Sequence, residues 1–265
     1  MIPGQLAEAR LTELGIRDAK DLDVEAIAFD AGVEVRYATL AGCEATLVGV
    51  GDRAIATIRR SNLRGRERFS TGHEVGHWEM HRGQSFQCRV DDPTLNLEST
   101  AGLEREADEY ASHLLMPTFL FNPAIKALKW PTLEQIQGIA SDFESSQTAT
   151  CIRLAKVDTL PVIVACYSAE RRRWHLPAPH VPRRWWLKNA LDKDSFAYEL
   201  MTRGFECRRP RKQSADAWFE NDDAGEFEVL EQCFAIPDGK IIALLYLSDA
   251  GMFERAYDPD VRWRK

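Results

Sequence analysis

A chain of 265 residues exceeds the ordinary single domain of about 100–150 residues, and 45% hydrophobic against 28% charged residues excludes the composition of a disordered chain. A formal net charge of -7 and a pI near 5.5 exclude coating of nucleic acid through the overall field, leaving only local basic patches for that role. No apolar leader opens the sequence, no stretch approaches about 18 apolar residues, and six scattered cysteines without a CxxC pair read as reduced thiols. The expectation is a cytoplasmic protein without membrane contact.

Residues 5–14 set Leu6, Ala9, Leu11 and Leu14 at near-helical spacing, and residues 23–31 do the same with Val24, Ile27, Ala28 and Ala31, which predicts two short helices. After Gly32 come the strand-like stretches Val33-Tyr37, Ala45-Val50 and Ala54-Ile58. Gly51-Asp52 between the last two is a hairpin turn, and the three predict a small antiparallel sheet. From Leu63 to His81 no proline interrupts a run whose apolar residues Phe69, Val75, Trp78 and Met80 go around the circumference, as in a buried helix. Residues 82–100 read as a loop. A further helix, Gly102 to Met116, carries Leu103, Ala107, Tyr110, Ala111 and Leu114 on one stripe and is stopped by Pro117. Thr132 and Gln135 form a capping box for Leu133-Phe143, and a short helix at Gln147-Lys156 completes a pair that resembles a helix-turn-helix. From Leu160 the apolar Val162-Tyr167, a helix-like Asp194-Gly204, and the runs Glu226-Ile236 and Lys240-Leu247 joined by Pro237-Asp238-Gly239 predict a separate α+β domain.

The predicted buried helix contains His73-Glu74-Val75-Gly76-His77. Histidines four apart stand one turn apart on the same helix face and can reach one metal ion. Zinc suits imidazole ligands, and a catalytic site takes three protein ligands and keeps a fourth position for water, from which Glu74 can take the proton as general base. The third ligand is expected about 30 residues downstream, in Glu104-Arg105-Glu106-Ala107-Asp108-Glu109. There Glu104 and Glu106 both flank the apolar stripe, so periodicity alone leaves two candidates. Glu104 is preferred because Asp108, one turn on, can bind the free ring nitrogen of a ligand histidine. His81 extends the row to a third turn, which one straight helix cannot bring to the same ion, so it reads as a surface or core histidine. His113 reads as a helix-surface residue and Tyr110 as core. The metzincin pattern, with a later Gly and a third His, is absent after His77.

With both motifs in hand, the chain resembles the ImmA/IrrE family of bacterial metallopeptidases. The likeness rests on Arg66-Glu67-Arg68-Phe69-Ser70 leading into HEVGH, on the later His81, and on Glu104-Arg105-Glu106-Ala107-Asp108 running through Tyr110-Ala111 to Leu114-Leu115-Met116-Pro117, and it covers roughly residues 5–157. The resemblance implies zinc ligands His73, His77 and Glu104, a catalytic base Glu74, and Asp108 supporting a ligand. It also implies a substrate: a helix-turn-helix transcriptional repressor, whose cleavage derepresses stress-response or mobile-element genes. The fold expected is α+β, with a zincin-like domain at 1–128, a helix-turn-helix-like segment at 129–158, and a C-terminal α+β domain at 159–265 loosely similar to the GAF-type sensors of longer members. Trp78-Glu79-Met80 departs from the aliphatic residues expected after the motif.

The helix pair at 133–156 holds only Arg153 and Lys156 against Glu134, Asp142 and Glu144, too little positive charge for a phosphate-binding face, so a linker or substrate-docking role is preferred to DNA binding. Arg171-Arg172-Arg173-Trp174 and Arg183-Arg184-Trp185-Trp186 read as a hairpin rim with cation–π pairs rather than a nucleic-acid surface, and Arg208 to Lys212 leaves an anionic partner open. The alternative to a peptidase is a non-proteolytic metal-binding transcriptional regulator that acts by partner or DNA binding.

Overall fold

The computed structural model describes residues 2–82, 86–88 and 97–254. The chain forms two compact units, Met1–Pro123 with Ala140–Ser146, and Ala124–Ile139 with Gln147–Lys265. The architecture is α+β, with one sheet in each unit.

The first unit opens with α1 (Pro3–Glu13) and α2 (Val24–Asp30), the latter capped by Asp23, whose carboxylate accepts from the backbone N–H groups of Glu25 and Ala26 at 3.0 Å. Strands β1 (Val33–Ala38), β2 (Ala45–Val50), β3 (Arg53–Arg59) and β4 (Phe86–Cys88) form a sheet of order β1-β3-β2-β4. β2 and β3 make the expected antiparallel hairpin across Gly51, whose φ of 64° suits glycine. The sheet is nonetheless mixed, because β3 inserts between β1 and β2 and so runs parallel to β1.

Helices α3 (Arg64–Met80), α4 (Leu97–Leu115) and α5 (Thr118–Lys126) follow. The region expected as a loop thus holds β4 and the first turn of α4, while residues 83–85 and 89–96 lie outside the described residues. Ser99, Thr100 and Gly102 are weak helix formers, but propensity differences of up to about 1 kcal/mol per residue yield to packing further along the same helix. Trp78 explains the unusual residue after the motif. Its indole N–H donates to the Ala31 carbonyl at 2.8 Å, and its ring lies against Gly49 of β2, where a Cβ would come within 2.4 Å of it.

In the second unit the sheet order is β6-β5-β9-β8-β7, antiparallel throughout. β5 (Val162–Tyr167), β8 (Glu228–Ile236) and β9 (Lys240–Tyr246) match the apolar runs, and the β8–β9 turn places Asp238 and Gly239 at φ 64° and 63°. The flanking β6 (Arg172–Pro177) and β7 (Cys207–Ser214) are edge strands, rich in Arg and Lys. Helices α6 (Leu133–Asp142, its last turn belonging to the first unit), α7 (Gln147–Lys156), α8 (Phe196–Arg203) and α9 (Gly251–Glu254) complete the described α-helices. The capping box forms reciprocally: the Thr132 N–H donates to Gln135 Oε1 at 2.9 Å, and the Gln135 N–H to Thr132 Oγ1 at 3.3 Å. Ser195 caps α8, and Gly204, at φ 77°, ends it. Cys43, Cys151, Cys166, Cys207 and Cys233 are free thiols, and no described helix is long and apolar enough to cross a membrane.

Candidate metal centre

The site sits in the first unit, where α3 meets α4. Two glycines of α3 set the separation: a Cβ on Gly72 would lie 3.4 Å from Ala111, and one on Gly76 only 3.1 Å from Tyr110. These small residues let the helix backbones approach, and the ligand candidates on α3 come within reach of the acidic side of α4.

His73 and His77, one turn apart, present their Nε2 atoms 3.0 Å from each other. Glu104 of α4 closes the group, with Oε2 3.1 Å from His73 Nε2 and Oε1 3.4 Å from His77 Nε2. One donor atom from each residue lies within 4.8 Å of the others, an arrangement able to hold a metal ion. His77 and Glu74 are fully buried and His73 is 8% exposed, whereas the Glu104 side chain is 38% exposed, so the group is closed toward α3 and open toward α4. Burial holds the His77 pKa below its ordinary value. Burial also opposes ionisation of Glu104, but its contacts with His73 and His77 overcome it and hold its carboxyl well below the usual range.

Asp108 Oδ1 lies 3.0 Å from His73 Nδ1. A carboxylate only accepts, so Nδ1 carries the proton and the neutral ring turns the lone pair of Nε2 toward Glu104 and His77. His73 Nε2 and the Glu104 carboxylate thus converge as acceptor atoms, which a cation satisfies. Two imidazoles and a carboxylate fit a divalent metal with an open fourth position.

Of the two carboxylates that periodicity left open, the structure brings Glu104 to the pair of Nε2 atoms and sends Glu106 elsewhere, to His81 Nε2 at 2.9 Å. His81 itself is buried, with its Nδ1 3.0 Å from His77 Nδ1. His81 is thus a core histidine, one of the two placements expected of it; its contact with His77 follows from the four-residue spacing, which the sequence carries. His113 is not in the group: its Nδ1 meets Glu8 of α1 at 2.6 Å. Tyr110 is buried, with its hydroxyl 3.3 Å from Glu79.

Away from this centre, the basic runs are largely engaged within the second unit. Arg171-Trp174 lies at the β5–β6 hairpin as expected, Arg184 stacks on Trp185 at 4.6 Å and pairs with Asp223, Arg208 pairs with Glu206 at 2.9 Å, Lys212 pairs with Glu228 at 2.6 Å, and Arg211 covers Phe196 at 4.1 Å.

Residues 28–155 match the Peptidase_M78 family model, described as an IrrE N-terminal-like domain. Among solved structures, a Mycobacterium tuberculosis transcriptional regulator superposes with a TM-score of 0.61 at 13% identity, over 96% of this chain and 77% of that one, a likeness of fold. No curated protein matches the chain.

Proposed function

With residues 28–155 matching an IrrE N-terminal-like domain as the premise, we propose that this chain is a zinc-dependent endopeptidase that cleaves a helix-turn-helix transcriptional repressor in the cytoplasm. The observation that carries the reading is the convergence of His73 Nε2, His77 Nε2 and the Glu104 carboxylate beside a fully buried Glu74.

In this reading His73, His77 and Glu104 are the ligands, and Asp108 holds the His73 ring in its binding tautomer. An ion held by these three residues would supply Lewis acidity for polarising the scissile carbonyl and acidifying water. A Glu74 carboxylate oxygen accepts one proton from the attacking water as its oxygen bonds to the carbonyl carbon. The same oxygen then delivers that proton to the amide nitrogen as the C–N bond breaks, so water is added across the peptide bond with no covalent enzyme intermediate. The partly exposed Glu104 marks the side from which a polypeptide enters. Residues 1–128 constitute the peptidase part, 129–158 a docking or linking segment and 159–265 a regulatory domain. The repressor as substrate follows from the family resemblance.

The test uses the purified full chain and Glu74→Gln, with and without added zinc, against the helix-turn-helix repressor encoded nearest the gene. Cleavage lost in the variant while zinc stays bound supports the reading. No cleavage by either protein, with repressor or DNA binding retained, replaces it with the non-proteolytic regulator.

A further inference from the structure

A second contact chain beside the metal group runs through His77, His81 and Glu106. Glu106 Oε2 stands 2.9 Å from His81 Nε2, and His81 Nδ1 stands 3.0 Å from His77 Nδ1. The carboxylate only accepts, so it draws a proton onto His81 Nε2, and in the neutral imidazole this leaves a lone pair on Nδ1. His81 Nδ1 is thereby an acceptor 3.0 Å from His77 Nδ1, and it can only receive a proton from that ring. His77 Nδ1 is then the donor, and the lone pair of His77 falls on Nε2, the atom 3.4 Å from Glu104.

We infer that His81 and Glu106 are positioning residues that fix His77 in the tautomer and ring orientation needed to bind the metal, as Asp108 does directly for His73. The inference rests on the metal-site reading above. It gives a purpose to Glu106 and to the third histidine of the row, neither of which belongs to the group His73, His77 and Glu104. α3 cannot bring His81 to the metal, but one further turn is the right reach to hold the ring of His77. The two ligand histidines are thereby held from α4 by different devices: His73 by a carboxylate one turn after Glu104, His77 through an intervening imidazole.

Zinc affinity of the full chain, measured by competition with a chromophoric chelator, tests this with four variants. His73→Ala is the reference for the site itself. Glu106→Leu and His81→Phe remove the orienting acceptors, and losses of about 10–100-fold in affinity are expected. Glu106→Gln keeps an acceptor oxygen for the His81 N–H and is expected to bind zinc nearly as the wild type does, a rescue that a purely electrostatic role would not give. Because the Glu106 side chain is 52% exposed, the metal-free Glu106 variants should melt as the wild type does. In the zinc-loaded wild type, nitrogen NMR of His81 should show the proton on Nε2 and a bare Nδ1. Unchanged zinc binding by His73→Ala overturns the metal-site reading and this inference together. Zinc lost by His73→Ala but kept at wild-type affinity by Glu106→Leu and His81→Phe overturns the inference alone. So does a Gln variant as weak as the Leu one, or a proton found on His81 Nδ1.

Discussion

Along α3 the buried positions include Arg68, Thr71, His73, Glu74 and His77, whereas β5 and β9 bury runs such as Val162, Ile163, Val164 and Ala165, and Ile241 to Leu245, with no charged side chain. Both elements are interior, yet the first interior removes ionisable groups from water, which costs stability unless partners compensate, and the second gains from every apolar surface it covers. The difference teaches where each element is specialised: α3 holds ionisable side chains in place, and β5 and β9 are built to stay folded.

The largest expected effect sharpens this contrast. Glu74→Gln should lower hydrolysis by roughly 10²–10⁴-fold, the usual contribution of a general base, while urea unfolding shows no loss of stability. A loss of stability comparable to that of a core deletion would break the comparison, because it would make Glu74 a structural residue. The matching deletion is Leu244→Ala, at a fully buried position of β9. It should cost about 2–5 kcal/mol in urea unfolding, with unchanged zinc affinity.

Two carboxyls give the units opposite responses to pH. In the second unit Glu231 is fully buried, and burial raises its pKa to about 7 although Trp218 Nε1 at 2.8 Å and the Ala197 N–H at 2.6 Å partly oppose the shift. With the folded pKa above the unfolded value of 4.5, the folded state binds the proton more tightly. The stabilisation from this group is thus complete below pH 4.5 and is lost as pH rises through 7, about 3 kcal/mol across the window. In the first unit burial pushes the Glu8 carboxyl up, but His113 and Thr118 outweigh it and bring the pKa down to about 2. Its stabilisation is present above 4.5 and is lost as pH falls toward 2. Denaturant melts followed across this range should show the Glu231→Gln variant losing the neutral-side slope and keeping the acid-side one. A variant with both slopes intact would remove Glu231 as their source. The smallest effect is at the capping box: Thr132→Ala should cost about 1 kcal/mol by the same assay, and a cost of zero would mean that the reciprocal bonds at 2.9 and 3.3 Å add nothing to α6.

The sequence was most legible where one periodicity served one purpose. The stripe of α4 and the apolar runs of β5, β8 and β9 each point to one face or one interior, and the ligand spacing on α3 is a property of the helix itself. β6 and β7 were legible only as charge patterns, because edge strands need polar residues on both sides of the ribbon and their apolar alternation is correspondingly thin. α5 was hidden by Pro123 within it. In the site, periodicity could not separate Glu104 from Glu106, since both flank the same stripe and the choice depends on which turn of α3 each one faces. The contact between His77 and His81 needed the actual ring orientations.

Gly76 has a consequence for moving this motif to another protein. The HExxH pattern treats its position as arbitrary, yet here it faces Tyr110 so closely that even a methyl group would force the ring to yield by a few tenths of an ångström. The two histidines travel with any graft of the five residues, because a single helix carries their spacing. The third donor does not, because its distance belongs to a second helix. A recipient scaffold would inherit a complete ligand set only if it also offered a second helix approaching this glycine as closely as Tyr110 does here, so the portable unit is a pair of helices and the gap between them, rather than the five letters.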